Sequence, residues 1–142
     1  MFRIRLISVG RPKETWIEEG IEEYRRRLRN SIEIDCLWVK NNEALLSLLE
    51  KEREERIICL DPKGKVYTSK EFADEMWKKF TSGGSRLSIL IGAAEGLPQS
   101  IREKYTLWSL SLLTLTHQMS RLLFVEQVYR ANEIQKGSGY HK

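Results

Sequence analysis

The fold of this 142-residue chain is indicated most clearly by the run Leu87-Ser88-Ile89-Leu90-Ile91-Gly92-Ala93-Ala94-Glu95-Gly96-Leu97. Its first five residues are almost wholly apolar, as is typical of a central parallel strand that is covered on both faces. The glycine-containing loop that follows stands at the carboxyl end of this strand, where open α/β sheets bind ligands. The loop has neither the Gly-Lys-Ser/Thr of a Walker sequence nor a Gly-x-Gly-x-x-Gly fingerprint. Taken alone, it is typical of an ordinary strand-to-helix turn.

Strand-like and helix-like segments alternate on both sides of this run. The patterns of apolar residues and turn signals predict strands over residues 2–9, 31–39, 56–60 and within 106–115. They predict helices over residues 15–29, 42–55, 68–80, 98–104 and 117–135, and a turn at residues 61–64. No repeat, low-complexity tract or linker interrupts the chain, so residues 1–142 are predicted to form a single domain. The predicted fold is α/β, with a largely parallel sheet flanked by helices.

Composition limits the kinds of protein that this chain can be. Apolar residues make up 41% and charged residues 31%, and the net charge of +4 permits a polyanionic partner without requiring one. No apolar run reaches membrane length, and the first residues lack the apolar core of a signal peptide. Cys36 and Cys59 lie in strand-like runs and match no zinc spacing, which favours buried thiols in a reducing compartment. These features predict a cytoplasmic protein without a membrane segment or a metal.

The final predicted helix is apolar around nearly its whole circumference over its first turns. Its apolar residues are Met119, Leu122, Leu123, Phe124, Val125 and Val128. Such a helix must be buried on several sides, which favours a homodimer interface, although a core helix in a compact monomer stays open. Arg121 and Arg130 are nine residues apart and therefore point to roughly opposite sides of the helix. If both are functional, one can serve its own subunit and the other a neighbour.

The last residues combine a flexible Gly137-Ser138-Gly139 segment with Tyr140, His141 and Lys142. A stacking ring, a group that titrates near neutrality and a cation together suit a flipped or single-stranded base. A frayed terminus is the alternative. The run of arginines at residues 25–27 in the first helix is typical of a solvated basic face, with phosphate contact as the sharper alternative.

Four motifs, in order along the whole chain, resemble those of the RlmH (YbeA-like) family of SPOUT-class methyltransferases. They are the opening run 87–97, the run Trp108-Ser109-Leu110-Ser111-Leu112-Leu113-Thr114-Leu115-Thr116-His117, residues 121–131, and the closing Tyr140-His141. The resemblance implies a carboxyl-terminal trefoil knot, a homodimer and S-adenosylmethionine as methyl donor, without a metal. It also implies methylation of the N3 position of a pseudouridine in large-subunit (23S) rRNA on the ribosome.

The resemblance also implies which residues form the site. The expected cofactor-binding residues are Leu60, Gly92, Ala93, Ser111, Leu112, Leu113, Thr114, Leu115 and Thr116. The expected substrate-side residues are His117, Arg121, Arg130, Tyr140 and His141, with His141 as the candidate base. Two loops depart from the family pattern: residues 92–96 replace the usual Gly-Gly-Pro-Glu-Gly, and residues 115–118 replace Leu-Pro-His-Pro. These departures motivate an alternative, a non-catalytic ribosome- or RNA-binding module that keeps the knotted scaffold.

Overall fold

The alternation of strands and helices produces one sheet with helices on both faces, because neighbouring parallel strands need a crossover connection. The computed structural model describes all 142 residues. The elements are β1 (Phe2–Val9), α1 (Thr15–Leu28), β2 (Ile32–Val39), α2 (Asn42–Leu49), β3 (Ile57–Val66), α3 (Ser69–Ser82), β4 (Arg86–Ile91), α4 (Gln99–Lys104), β5 (Thr106–Ser109) and α5 (His117–Lys136). The sheet has the order β2-β1-β4-β3-β5 and all its pairs are parallel, which confirms the predicted fold class.

Alternate residues of β1 face two separate apolar cores. Ile4 and Leu6 point to the face covered by α1, α3 and α5, where 20 buried residues form the larger core. Ile7 and Val9 point to the other face, where α2 and α4 help to enclose nine buried residues. Because α2 and α4 are short, with eight and six residues, they leave part of this second face without a helix. No helix of the chain is long and apolar enough to cross a membrane.

Side-chain caps fix where two of the predicted helices begin. Thr68 accepts a hydrogen bond from the Glu71 backbone N–H at 3.1 Å, and the Glu71 carboxylate accepts one from the Thr68 N–H at 2.8 Å. This reciprocal pair is a capping box. The side chain of Asn41 caps α2 by accepting from the Ala44 N–H at 2.9 Å. Polar residues at these positions satisfy backbone donors that the first helical turn leaves free.

The predicted end of the third strand at a turn over residues 61–64 is wrong, because β3 continues to Val66. Leu60 and Lys65 are both in register with Trp108 of β5, so the four residues between them form a bulge within the strand. Asp61 still makes a local turn, since its carboxylate accepts from the Lys63 N–H at 2.9 Å. A Cβ on Gly64 would lie 2.6 Å from the Trp108 carbonyl carbon, so only glycine fits there.

Candidate cofactor and substrate site

The expected cofactor-binding residues meet at the carboxyl edge of β4, β3 and β5. Leu60 is in register with Trp108 on one side, and it lies one residue beyond the Cys59–Leu90 pair on the other. Neighbouring strands are about 4.8 Å apart, so the ends of the three strands span roughly 10 Å. The loop after β4 and the loop after β5 therefore stand on either side of Leu60, where a parallel sheet binds its ligands.

The loop after β4 closes tightly on itself. The Gly96 N–H donates to the Ala93 carbonyl at 2.7 Å, and Gly96 adopts a φ of +91°, which favours glycine. Gly92 is buried, and a Cβ there would lie 2.8 Å from backbone atoms of Gly96 and Leu97. The close approach that requires glycine at position 92 is thus to the backbone of its own loop. Any side chain at this position would push the loop open.

The loop after β5 is held by two serine side chains and exposes two leucines. Ser109 donates to the Ser111 carbonyl at 2.9 Å, and the Leu113 N–H donates to the Ser111 hydroxyl at 3.0 Å. These bonds end β5 at Ser109, earlier than residue 115. Leu112 and Leu113 are 91% and 75% exposed. Two adjacent exposed leucines form an apolar surface that a ligand or another subunit can cover.

Sequence reasoning missed Asp61 and Arg102 at the same edge. Asp61 directly follows Leu60 and is buried, and its carboxylate lies 3.9 Å from the Arg102 guanidinium. The Nε of Arg102 is buried without a hydrogen-bond partner. The only available signal was a charged residue at the end of an apolar strand. No group of three or more His, Cys, Asp or Glu side chains is placed to hold a metal ion.

Arg121 is fully buried at the start of α5 and binds the carboxyl end of β1. Its guanidinium donates to the Ser8 hydroxyl at 2.8 Å and to the carbonyls of Val9 and Gly10 at 2.8 and 2.7 Å. It also lies over the Trp38 ring, with its central carbon 4.7 Å from the ring centroid. These contacts occupy the guanidinium within the chain. They also supply hydrogen-bond donors to backbone carbonyls at the end of a strand, where buried carbonyls need partners. The geometry therefore favours a positioning role for Arg121.

His117 occupies the first turn of the same helix. Burial lowers its pKa from the ordinary value, and the nearby charges of Arg121 and Lys13 lower it further. The imidazole is therefore neutral at physiological pH, so it offers one hydrogen-bond donor and one acceptor rather than a charge. Thr116 caps the helix beside it by accepting from the Met119 N–H at 3.2 Å.

The carboxyl-terminal tail folds back onto the far end of α5. Gly137 turns the chain with a φ of +71°, and the Tyr140 hydroxyl donates to the Glu126 carboxylate at 2.8 Å. Arg130 donates to the same carboxylate at 3.1 Å and to Nδ1 of His141 at 3.1 Å. Burial raises the pKa of the Tyr140 phenol, and the hydrogen bond to Glu126 raises it further. Glu126, which was noted in the sequence only as a helical partner of Arg130, thus anchors both Arg130 and Tyr140.

One chain does not bring all the expected substrate-side residues together. His117 and Arg130 are 13 residues apart on one helix, which corresponds to about 20 Å along its axis. His117 and Arg121 lie at the start of α5, on the side of the loops after β4 and β5, which we call the candidate cofactor loops. Arg130, Tyr140 and His141 form a separate cluster at the other end of α5. We call this second group the tail cluster.

Comparison with known proteins identifies the family. A family profile described as "Predicted SPOUT methyltransferase" matches residues 2–141. The chain belongs to this SPOUT methyltransferase family. Membership confirms the resemblance seen in the four motifs, and it implies the carboxyl-terminal trefoil knot that is characteristic of SPOUT proteins. Knots are otherwise nearly absent from proteins, so strand order alone would not have predicted one.

Relatives and solved structures agree with this assignment. A protein from Protochlamydia amoebophila, named ribosomal RNA large subunit methyltransferase H, is 50% identical over all of both chains. One of the same name from Thermus thermophilus is 36% identical, covering 99% of this chain and 98% of the relative. Two solved structures share the fold at low identity. One is described as "Structural insights into the 2-OH methylation of C/U34 on tRNA", with a TM-score of 0.52, 11% identity and coverage of 96% and 98%. The other is TrmJ from Z. mobilis ZM4, with a TM-score of 0.51, 9% identity and coverage of 92% and 70%.

Proposed function

We propose that this chain transfers a methyl group from S-adenosylmethionine to the N3 position of a pseudouridine in 23S rRNA, acting on the ribosome in the cytoplasm. The observation that carries the proposal is the 50% identity, over the full length of both chains, to a protein named ribosomal RNA large subunit methyltransferase H. The two loops at the carboxyl edge of the sheet and the tail cluster support it, because they supply a ligand-binding edge and groups suited to a nucleobase.

The residues at the carboxyl edge fit the proposed cofactor. S-adenosylmethionine supplies an electrophilic methyl group on a sulfonium, so the chain has only to bind it, orient it and exclude water. Leu60 and the exposed Leu112 and Leu113 offer apolar surface for the adenine. The backbone of Gly92, Ala93, and residues 111–116 offers donors and acceptors for its polar groups. The unpartnered Nε of Arg102 is a further buried donor near this edge.

Replacing Gly92 with valine is expected to abolish S-adenosylmethionine binding. A Cβ at this position would lie 2.8 Å from the Gly96 and Leu97 backbone, so the loop must open. Calorimetric titration measures the affinity, and Ala94→Val is the matched control, because Ala94 is exposed in the same loop. Both variants should keep the wild-type oligomeric state. Wild-type affinity of Gly92→Val would show that the cofactor pocket lies elsewhere.

Methyl transfer to a ring nitrogen requires removal of its proton. The new bond joins the methyl carbon to N3 while the sulfonium–carbon bond breaks, and the N3 proton passes to a base. Arg130 donates to Nδ1 of His141, so the neutral imidazole carries its own proton on Nε2 and has no free lone pair. His141 therefore becomes a base when Arg130 leaves it. We propose that Arg130 then pairs with the target base, where its charge stabilises the developing anion.

The separation of the two groups on α5 supports a site shared between two subunits. About 20 Å of helix separates His117 from Arg130, too far for one bound methyl donor and one base to bridge. A second copy of the chain can place its own tail cluster beside the cofactor loops. Exposed apolar residues such as Trp16, Leu112 and Leu113 would be covered in such a homodimer. Within one chain, α5 already packs between α1 and α3, which accounts for part of its apolar surface.

A mixture of two inactive variants is expected to regain activity if the site is shared. Gly92→Val and His141→Ala subunits, exchanged into heterodimers, would form one intact site from the cofactor loops of one chain and the tail of the other. Random exchange should restore about a quarter of wild-type activity. Sedimentation equilibrium should give about twice the 16.7 kDa chain mass. A monomer at micromolar concentration, or a mixture as inactive as its components, would show that each chain works alone.

The proposed reaction is tested by transfer of tritiated methyl groups to ribosomes from a strain that lacks the enzyme. We expect label in 23S rRNA at one pseudouridine, and none with ribosomes from the parent strain, whose target is already methylated. Binding to ribosomes without transfer, together with no calorimetric signal for S-adenosylmethionine, would instead support the non-catalytic RNA-binding module. The departures at residues 92–96 and 115–118 make this alternative worth the test.

A further inference from the structure

A cavity of about 330 Å³ opens at the amino-terminal ends of β1 and β4, at the edge of the sheet opposite to the cofactor loops. We call it the amino-edge cavity. Its cationic residues are Arg3, Arg5, Lys51, Arg56 and Arg86, and its carboxylates are Asp35 and Glu52. Five cations against two carboxylates leave an excess of three positive charges, in a chain whose net charge is +4. The cavity thus concentrates the cationic character of the protein.

The register of the sheet places two of these arginines side by side. Glu33 of β2, Arg3 of β1 and Arg86 of β4 are neighbours in one row of the parallel sheet. Arg3 lies 3.8 Å from the Glu33 carboxylate, whereas Arg86 forms no ion pair. Like charges on neighbouring strands repel each other. A bound anion between Arg3 and Arg86 would remove this repulsion.

Partly buried hydrogen bonds hold other parts of the cavity in place. The Glu52 carboxylate accepts from Arg5 and from the Ser88 hydroxyl, both at 2.9 Å. Arg56 lies 3.6 Å from Glu52 and donates to the Gly83 carbonyl at 2.6 Å. Burial raises the pKa of Glu52, but hydrogen bonds from Ser88 and the Arg53 backbone, with the charge of Arg5, outweigh it and lower the pKa. Glu52 therefore stays ionised and fixes Arg5 and Arg56, while Lys51 and Arg86 keep their charges free.

The arginine run of α1 offers no comparable site. Arg25 pairs with Glu22, and both Arg26 and Arg27 pair with Glu23. The larger cavity beside these arginines has a volume of about 650 Å³ and is lined by four glutamate and three arginine side chains. Its side chains therefore carry no excess of positive charge. The structure thus agrees with a solvated basic face for α1.

We infer that the amino-edge cavity binds backbone phosphates of RNA and gives the enzyme a second contact with its substrate. The identity of the RNA rests on the proposed function. Arginine presents a planar fork of donors that matches phosphate oxygens. When unpaired cations of a protein neutralise backbone phosphates, the counterions condensed on the nucleic acid are released, which favours binding. β1 has eight residues and is about 26 Å long, so this contact lies about that distance from the carboxyl edge of the sheet, where methyl transfer is proposed. That distance exceeds one nucleotide, so the cavity contacts a segment of rRNA away from the target base.

The test compares two double charge reversals with the same effect on net charge. Lys51→Glu/Arg86→Glu alters the cavity, and Lys70→Glu/Lys78→Glu alters two exposed lysines of α3. Binding of a fluorescein-labelled 23S rRNA hairpin is followed by anisotropy against salt. The loss of two phosphate contacts should weaken binding about 50-fold at about 0.1 M salt. It should also lower the magnitude of the slope of log affinity against log salt concentration by between about 1 and 2. The control should bind as the wild type does.

Further measurements separate this inference from the proposed reaction. With ribosomes as substrate, the cavity variant should raise KM while kcat and S-adenosylmethionine affinity stay at wild-type values. Equal weakening by both double variants would show a net-charge effect alone and overturn the inference. Unchanged RNA binding by the cavity variant would also overturn it, even if inorganic pyrophosphate binds the cavity. If the wild type binds RNA through this cavity but methylates no ribosomes, the proposed reaction fails and the RNA contact stands.

Discussion

Replacing His141 with alanine is expected to lower the single-turnover rate of rRNA methylation about a hundred- to ten-thousand-fold, the usual value of general-base catalysis. The rate should recover in part as pH rises, because hydroxide then removes the N3 proton. Deleting residues 140–142 should have at least the same effect. Neither change should alter S-adenosylmethionine affinity, since both leave intact the proposed cofactor residues, namely Leu60 and the loops after β4 and β5. Rapid-quench methylation of ribosomes and calorimetric titration measure the two quantities.

A comparison of His141→Ala with Tyr140→Phe distinguishes a role of His141 as the base from a role in binding the ribosome. Tyr140→Phe removes the hydroxyl that donates to Glu126 but keeps the ring beside Arg130 and Tyr129. This variant should loosen the tail, but its methylation rate should not recover at high pH as the rate of a variant without the base does. Weaker ribosome binding by His141→Ala, with an unchanged single-turnover rate, would make His141 a binding residue. The proton would then leave through water or another group.

The sheet and its helices could be predicted because local patterns determine them. The apolar run before Gly92, the alternating residues of β2 and the capping residues Asn41 and Thr68 each act within a few positions of the chain. The bulge in β3 could not be predicted, because it depends on how Leu60 and Lys65 both pair with Trp108, more than 40 positions away. Asp61, proline and glycine therefore indicated a strand end where the strand continues.

The family motifs supplied the proposed site residues, but the sequence did not indicate how these residues are arranged in space. The family motifs placed residues 92–97 and 108–117 together, and the sheet order explains why they meet. The anchoring of the tail on Glu126 could not be seen, because it depends on the chain reversing at Gly137. The contiguous arginines of α1 were conspicuous in sequence but paired in space. The cations of the amino-edge cavity come instead from three separate segments, namely β1, the connection between α2 and β3, and β4.

Replacing Arg121 with methionine is expected to destabilise the fold rather than only slow the reaction. The change removes this donor from the Ser8 hydroxyl and the Val9 carbonyl in a buried place, and from the Gly10 carbonyl in a partly buried one. Each unsatisfied buried group costs about 1–3 kcal/mol, so the total should reach about 3–5 kcal/mol. For a chain of this size that lowers Tm on the order of 10 °C. Thermal unfolding followed by circular dichroism measures the change.

Arg130→Met is the control, because it removes an arginine from the same helix at a partly exposed position. Its ion pair with Glu126 should contribute no more than about 1 kcal/mol, so Tm should fall by only a few degrees. Arg121→Lys keeps the charge but lacks the fork that reaches three acceptors, and its Tm should lie between those of the wild type and Arg121→Met. An unchanged Tm for Arg121→Met, with normal cofactor affinity and lost methylation, would instead place Arg121 at the substrate. Because the Arg121 guanidinium joins the start of α5 to the end of β1, we expect Tm and cofactor affinity to fall together.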